Sequence, residues 1–390
     1  MPDRSLIFAA IAIAFGLPGL VTAVHMSVLA IGSLLYRERL PADPVPAVRF
    51  LVVVPAHNEE LVLERTLQAI RRSLRPRDQL LVVDDRSSDR TGQIAAAFGA
   101  MVLRREPGEE PGRAAARQAA LARSTSLDWG AMVMIDADSV VAPGFFDVCE
   151  RMLATGAVAL QARSEAAIGR RLVDQAALAS FAIQGVVMPR GRDHLHMLVR
   201  LRGTGMILRR EIIERFSFRA PASEDLVYSL DLCQAGIRVR HVESARLRSQ
   251  NAGSWKTATQ QKLRYEAGRI AAAREFARPL VSSGGVAGLE AAWFLLSPPF
   301  ATAVALLAVA LGFAALAGHL WLVMILAAAL AALFVVLLLG IVQARLHPRV
   351  LLALTIAPAY LIWKVVVQIR AAIIVRSGRR EFGATERHRG

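Results

Sequence analysis

Met132-Val133-Met134-Ile135-Asp136-Ala137-Asp138-Ser139 decides how this chain is read. An apolar run of strand-forming residues stops at two carboxylates one residue apart. In an extended segment, alternate residues point the same way, so both acids share a side while the small alanine turns inward. Paired carboxylates repel unless a cation or a donor stands between them, and the pattern fits a divalent metal that holds a diphosphate. Capping of a turn by Asp138 and Ser139 is the plainer alternative. Four more polar signatures accompany the stretch in the order VVVPAHNEE (52–60), LVVDDRSSD (81–89), SED (223–225) and QQKLRY (260–265). The first two also begin in apolar runs.

Between these signatures, strand-like and helix-like segments alternate. Strands are predicted over 50–54, 80–83, 101–104, 131–135 and 239–242, with helices over 59–73, 91–98, 114–123 and 225–235. The segment 203–209 continues the pattern. This order predicts a parallel sheet whose working residues sit at the C-terminal ends of its strands. The chain shows no internal repeat.

Of the 390 residues, 54% are apolar, and the apolar residues are not spread evenly. Residues 6–35 and 286–369 are nearly uncharged, whereas 45–280 mixes apolar and charged runs. The division predicts a transmembrane helix within 1–40, a soluble domain over 45–255, an amphipathic interfacial helix over 256–285, and a C-terminal transmembrane region with a basic tail over 286–390. Spans are expected at 5–35, 290–316 and 320–343, with 350–369 interfacial or re-entrant. Arg37 and Arg39 follow the first span, which places the soluble domain in the cytoplasm. On the interfacial helix, Leu263, Ala267, Ile270 and Ala277 are expected on the apolar face, and Arg264, Arg269, Arg274 and Arg278 toward the polar one.

The net charge is +15, carried almost wholly by arginine. In a membrane protein such charge suits lipid surfaces and anionic substrates. No zinc-finger, RNA-recognition or homeodomain spacing is present, which argues against nucleic acid. Cys149 and Cys233 are too few for a disulfide framework or a zinc site.

The remaining acids have specific uses. Asp84 and Asp85 can accept from a base imide and a ribose hydroxyl, while Asp89 or Ser88 caps the next helix. Pro55, Ala56 and Glu59 are placed beside a nucleoside, with Asn58 available as a cap. Glu224 and Asp225 open a helix, where Asp225 can act as a general base and Glu224 as its neighbour. Gly203-Thr204-Gly205 can bring backbone N–H groups to a sugar or phosphate. Gln261 and Arg264 share a helical face, Arg264 suits a leaving diphosphate, and Tyr265 can stack on an acceptor sugar.

With these motifs in this order, the region 45–275 resembles membrane-bound glycosyltransferases of family 2 with the GT-A fold, a Rossmann-like α/β domain flanked by transmembrane and interfacial helices. The resemblance implies an inverting transferase that uses a UDP- or GDP-linked sugar and Mg²⁺ or Mn²⁺. By position it places Pro55, Ala56, Glu59, Asp84, Asp85, Arg113, Asp136 and Ala137 at the donor. It places Asp136 and Asp138 at the metal, and Asp225 with Glu224 at catalysis. Gly203, Thr204, Gly205, Gln261, Arg264 and Tyr265 fall toward the acceptor and diphosphate. Tyr265 stands where Q-x-x-R-W has tryptophan, and Arg113 in GRAAA (112–116) stands where a Lys-Gly pair is common. The ending, Tyr360 to Lys364 followed by Phe382 and Thr385 to Arg387, is similar to exopolysaccharide-type members. The expected acceptor is a lipid-linked, polyprenyl-diphosphate sugar or a glycan at a bacterial inner membrane. The alternatives are a processive polysaccharide synthase and a non-catalytic transporter or lipid-binding module.

Overall fold

The computed structural model describes residues 4–42, 45–109, 112–166, 172–219, 223–249, 255–282 and 285–377. The C-terminal basic tail expected from the sequence lies outside them.

The chain opens with α1 (Arg4–Leu35), then runs β1 (Phe50–Ala56), α2 (Leu63–Ser73), β2 (Gln79–Asp85), α3 (Thr91–Ala97), β3 (Met101–Arg105), α4 (Arg113–Ser124), β4 (Ala131–Met134) and β5 (Ser139–Val141). It continues through α5 (Phe145–Leu153), β6 (Ala159–Ala166), α6 (Leu172–Ala182), a π turn (Ile183–Val187), α7 (Met188–His194), β7 (Met206–Arg209), α8 (Arg210–Arg215), α9 (Glu224–Gln234) and β8 (Val239–Ser249). The remainder is helical: α10 (Trp255–Ser282), α11 (Gly285–Leu296), α12 (Phe300–Ala317), α13 (Leu320–Gln343), a 3₁₀ stretch (Pro348–Ile356) and α14 (Ala357–Arg376).

The eight strands form one sheet in the order β3-β2-β1-β4-β7-β6-β8-β5. The pairs β1–β2, β2–β3, β1–β4 and β6–β8 are parallel, and β4–β7, β6–β7 and β5–β8 antiparallel. A central strand covered on both faces must be apolar almost throughout, and β1 is buried along its length apart from Pro55. Pro55 has no N–H to give a ladder. It is tolerated because β4 pairs only as far as Val53↔Met134, so the side of β1 on which Pro55 falls has no strand left to bond. Phe50, Val52 and Val54 pack one face of the sheet onto α2 and α5; Leu51 and Val53 pack the other onto α4, α8 and α9. The predicted parallel sheet is therefore present, with antiparallel strands added past β4.

Several elements differ from the sequence reading. Helix α2 starts at Leu63 and not Glu59, because Asn58 adopts φ +53° and the Glu59 carbonyl accepts from Val62 and Leu63 in a turn. The apolar run 290–316 is two helices, since Ser297-Pro298-Pro299 cannot continue α11 and Pro299 leads into α12. Arg269 is buried, not on the polar side of α10: it pairs with Glu266 and donates to the carbonyls of Leu295 and Ser297 at 2.6 and 3.1 Å. The strands β5 and β6 and the helices α5 to α8 were not anticipated.

Among the described residues, four helices are long and apolar enough to cross a membrane, by length and composition: Arg4–Leu35, Phe300–Ala317, Leu320–Gln343 and Pro348–Arg376. Helices α1, α12 and α13 share one apolar core, into which the π turn inserts Ile183 and Val187. Helix α14 instead follows α10: Trp363 Nε1 donates to Thr259 Oγ1 at 3.2 Å, and farther along Arg274 reaches the Val375 carbonyl at 3.5 Å. Helix α7 meets α1 with no room to spare. A Cβ on Gly191 would stand 2.1 Å from the Leu29 carbonyl oxygen, whereas one on Gly312 in α12 would meet nothing within 4 Å. Gly191→Ala is expected to destabilise the protein by about 1–3 kcal/mol through overpacking. Gly312→Ala should leave it unchanged or slightly more stable. Thermal unfolding of the two variants in the same detergent checks this pair of expectations.

Candidate active site

Pro55, Ala56, Glu59, Asp85, Arg113, Asp136 and Ala137 line one recess of about 400 Å³, joined by His57 and Ala116. It lies where β1, β2 and β4 end, because parallel strands release their loops on one edge of the sheet. Two of those loops are laced together. The Asn58 N–H donates to Ser87 Oγ and the Ser88 N–H to Asn58 Oδ1, so Asn58 ties the neighbouring loop instead of capping its own helix. Asp89 accepts from the N–H groups of Thr91 and Glu60, which bears out its expected capping role.

Of the predicted donor residues, Asp84 alone is absent from this recess. Its carboxylate is buried, accepts from the Ser87 N–H at 3.2 Å and abuts Gly92, where a Cβ would meet it at 2.6 Å. It shapes the turn that presents Asp85. Asp85 accepts from Arg105 at 2.7 Å, from Arg86 at 3.0 Å and from the Gly112 N–H at 3.4 Å.

The Asp136 carboxylate lies 3.4 Å from Arg113 Nη1, and its N–H donates to Thr204 Oγ1 at 3.1 Å. Thr204 donates to Ser139 Oγ, which donates to Asp138 Oδ1 at 3.3 Å. Gln161, buried on β6, donates to the Thr204 carbonyl at 2.9 Å. The Gly203-Thr204-Gly205 turn is thereby fixed against the carboxylate pair. Gly203 and Gly205 have φ of +79° and +68°, which other residues rarely adopt.

At Gly203 three side chains converge. A Cβ there would lie 3.6 Å from Asp225 Oδ2 and 3.7 Å from both Arg113 Nη1 and Arg117 Nη2. Arg117 is wholly buried, donating to Glu224 at 3.1 Å and to the Gly203 carbonyl at 2.6 Å, with its guanidinium over the Phe218 ring. It was not among the sequence candidates, although its place one helical turn after Arg113 on α4 was a usable signal. Asp225 opens α9 and accepts from the Leu226 N–H at 2.8 Å. Burial first, and the Glu224 charge second, push its pKa above the ordinary carboxylate value, against the pull of Arg117 and Arg200. Arg113 is held charged chiefly by Asp136. Arg264 is pushed down by burial and then by Arg113, while Glu224, Asp225 and Asp136 oppose the shift, so it shares this field.

The Q-x-x-R-Y segment divides between two places. Arg264 faces the acids, Gln261 is exposed, and Tyr265 lines a second cavity, where Arg200 Nη1 donates to its hydroxyl.

Among the described residues, no cluster of three or more His, Cys, Asp or Glu side chains could hold a metal by itself. Asp136 and Asp138 are both partly accessible. As hard oxygen donors they fit an ion that draws its other ligands from water and a diphosphate.

Residues 46–268 match the profile of the family described as glycosyltransferase-like family 2, which is more than half of the chain. The chain belongs to that family. Among curated proteins, the probable glycosyltransferase YdaM of Bacillus subtilis (strain 168) is 28% identical over 249 residues. That match covers 60% of this chain and 57% of YdaM. Among solved structures, the mannosyltransferase PcManGT of Pyrobaculum calidifontis, in complex with GDP-Man and Mn²⁺, superposes with a TM-score of 0.54 at 18% identity. It covers 96% of this chain and 100% of its own. The likeness extends over the helices as well as the sheet, and the architecture is a GT-A domain with apolar helices on both sides.

Arg117→Met is expected to destabilise the protein by about 3–5 kcal/mol, since it strands the buried Glu224 charge. Adding Glu224→Gln should restore part of that loss. A double-mutant cycle in thermal unfolding reads both effects.

Proposed function

We propose that this chain transfers a hexosyl or N-acetylhexosaminyl unit, with inversion, from a UDP- or GDP-linked sugar to a lipid-linked acceptor in polysaccharide or glycolipid synthesis. The observation that carries this reading is the convergence of Asp225, Arg113 and Arg117 on Gly203, beside the recess that Asp85 and Asp136 line. The GDP-Man and Mn²⁺ held by PcManGT in its complex are in keeping with a nucleotide-sugar donor and a divalent ion here.

In this mechanism Asp85, Pro55, Ala56 and Glu59 seat the nucleoside, and Arg113 meets the diphosphate. A divalent cation on Asp138 and Asp136 would supply charge neutralisation for the diphosphate. Asp225 accepts the proton of an acceptor hydroxyl as that oxygen bonds to the anomeric carbon. The bond from that carbon to the diphosphate oxygen breaks on the opposite side, and Arg113 and Arg264 stabilise the departing charge. An aspartate of raised pKa is a better base toward a hydroxyl than an ordinary one, and the site raises Asp225 through burial and Glu224.

The arrangement proposed for the cell is a multi-pass protein of a bacterial inner membrane with its sheet domain in the cytoplasm. Arg37 and Arg39 after α1 support this orientation. The way α14 follows α10 supports its lying along the interface with that helix. A soluble domain over 45–255 and an interfacial segment over 256–285 remain the proposed division.

The test uses full-length protein in lipid nanodiscs with Mn²⁺, screened against UDP- and GDP-sugars for release of nucleotide diphosphate, with and without a polyprenyl-linked extract. Release is expected to need a donor and to rise with the extract. Asp225→Asn should lower kcat about 10²–10⁴-fold while nucleotide affinity holds. A product ladder in place of a single added sugar would favour a processive synthase, and equal release by Asp225→Asn would sink the assignment of the base. Asp225 must be deprotonated to act, so kcat/KM should fall toward low pH with a midpoint above the ordinary aspartate value of about 3.9. An acid limb at or below that value would contradict the raised pKa.

A further inference from the structure

A second cavity lies away from the nucleotide recess. Its wall is assembled from α1, the π turn and α7, α10, and the Ser297-Pro298-Pro299 break before α12. Two of these helices, α1 and α12, are candidate spans, and Met26 on the wall is nine residues short of the end of α1, about 14 Å along the axis. One part of the lining is apolar: Met26, Ile183, Met188, Phe294 and Phe300. The other part is charged, with Arg200, Lys262 and Arg269 set against the single carboxylate Glu266.

That charge does not balance. Glu266 serves Lys262 at 2.9 Å and Arg269 at 3.1 Å together. Arg269 is spent further on the backbone carbonyls after α11. Arg200 is half-buried, donates to Tyr265 and rests over Phe294 at 4.5 Å, and among the described residues it makes no salt bridge. Next to it the Arg202 guanidinium donates to the Gln184 carbonyl and lies over the Phe181 ring, and burial followed by the charge of Arg200 pushes its pKa down to about 10 against the pull of Tyr265 and Asp225. Partly buried cations that outnumber the carboxylates near them are costly, and an anion brought in from outside lowers that cost. The cavity therefore asks for a ligand with an anionic head and an apolar chain.

We infer that this cavity binds a phosphate-bearing lipid, its phosphate held by Arg200 and Lys262 and its chain lying against the apolar wall of Met26, Ile183, Met188, Phe294 and Phe300. The inference rests on the glycosyl-transfer reading of the adjacent site and names the head-group site of its acceptor. Arg200 connects the two sites, since it contacts Tyr265 on the cavity wall and its charge also acts on Asp225. A lipid phosphate there brings whatever the lipid carries next to the proposed base. The same head-group chemistry occurs in ordinary membrane phospholipids, so the test must separate the two sources.

The experiment measures binding of farnesyl phosphate, farnesol and phosphatidylglycerol by native mass spectrometry on the full-length protein, released from phosphatidylcholine nanodiscs. The proteins compared are wild type, Asp225→Asn, the double variant Arg200→Gln/Lys262→Gln and the charge-conserving Arg200→Lys/Lys262→Arg. Farnesyl phosphate is expected to bind wild type and Asp225→Asn alike, and at least about tenfold more tightly than farnesol. The glutamine pair should lose about tenfold or more, the charge-conserving pair should keep most of the affinity, and phosphatidylglycerol should not compete. Equal binding of farnesol, undiminished binding by the glutamine pair, or a loss as large in the charge-conserving pair would each overturn the inference. Displacement by equimolar phosphatidylglycerol would make the cavity a structural lipid site and overturn it as well. Because Asp225→Asn keeps this cavity intact, sugar transfer failing while farnesyl phosphate still binds counts against the catalytic reading alone. Transfer to a lipid acceptor that persists in the glutamine pair counts against this inference alone.

Discussion

A buried guanidinium underlies the candidate active edge of this protein. Arg117 has no contact with solvent, and its two terminal nitrogens hold the Glu224 carboxylate and the Gly203 carbonyl. Adjacent acids at the start of a helix, both mostly removed from water, could not be kept there without such a cation. Arg117 lets Glu224 stay in place, and burial first, then the Glu224 charge, keep Asp225 above its ordinary pKa. The same arginine fixes the glycine turn, and through Thr204 and Ser139 the turn bears on Asp136 and Asp138. The two proposed roles, base and diphosphate holder, therefore share one mechanical support.

A second set of interactions orients the domain on its helices. At the end of α1, Tyr36 donates to the His241 carbonyl at 2.9 Å, and Glu38 accepts the Glu243 and Ser244 N–H groups on β8. Higher up, Glu290 of α11 takes Arg192 of α7 at 2.6 Å and His25 of α1 at 3.2 Å. The charge of Glu290 thus turns inward to partners instead of facing lipid, which explains how an acid is tolerated in an apolar stretch. With Gly191 set against the α1 backbone, these contacts tie the sheet domain to the first membrane helix along a length of it. The proposed catalytic edge and the proposed lipid cavity can only cooperate if the sheet domain and the helices keep such a fixed relation.

Much of the first half of the domain was legible in the chain. The apolar runs at 50–54, 80–83 and 131–135 had to be central strands because nothing else hides so many branched residues so briefly, and the acids after them had to fall on one edge. The donor group gathered as expected for that reason, apart from Asp84, whose burial against Gly92 is a packing matter between neighbouring turns. The second half was less legible. Strand β6 buries Gln161, Arg163 and Ser164, so its pattern mimics a surface segment until its partners are known. The segment that forms α6, the π turn and α7 is apolar on several faces because it packs between the sheet domain and α1 and α13, and no single period marks it.

What the sequence by itself determined was the class of fold, its membrane attachment and the residue types available for chemistry, since periodicity and hydrophobic length act locally along the chain. What only the tertiary structure decided was which charges meet. Arg117 finding Glu224, Arg269 turning inward, Tyr265 lining the second cavity, and Arg200 meeting the Tyr265 hydroxyl all depend on contacts between segments far apart in the chain. Charge pairing in a buried setting is a property of position in space, and no spacing along the sequence encodes it.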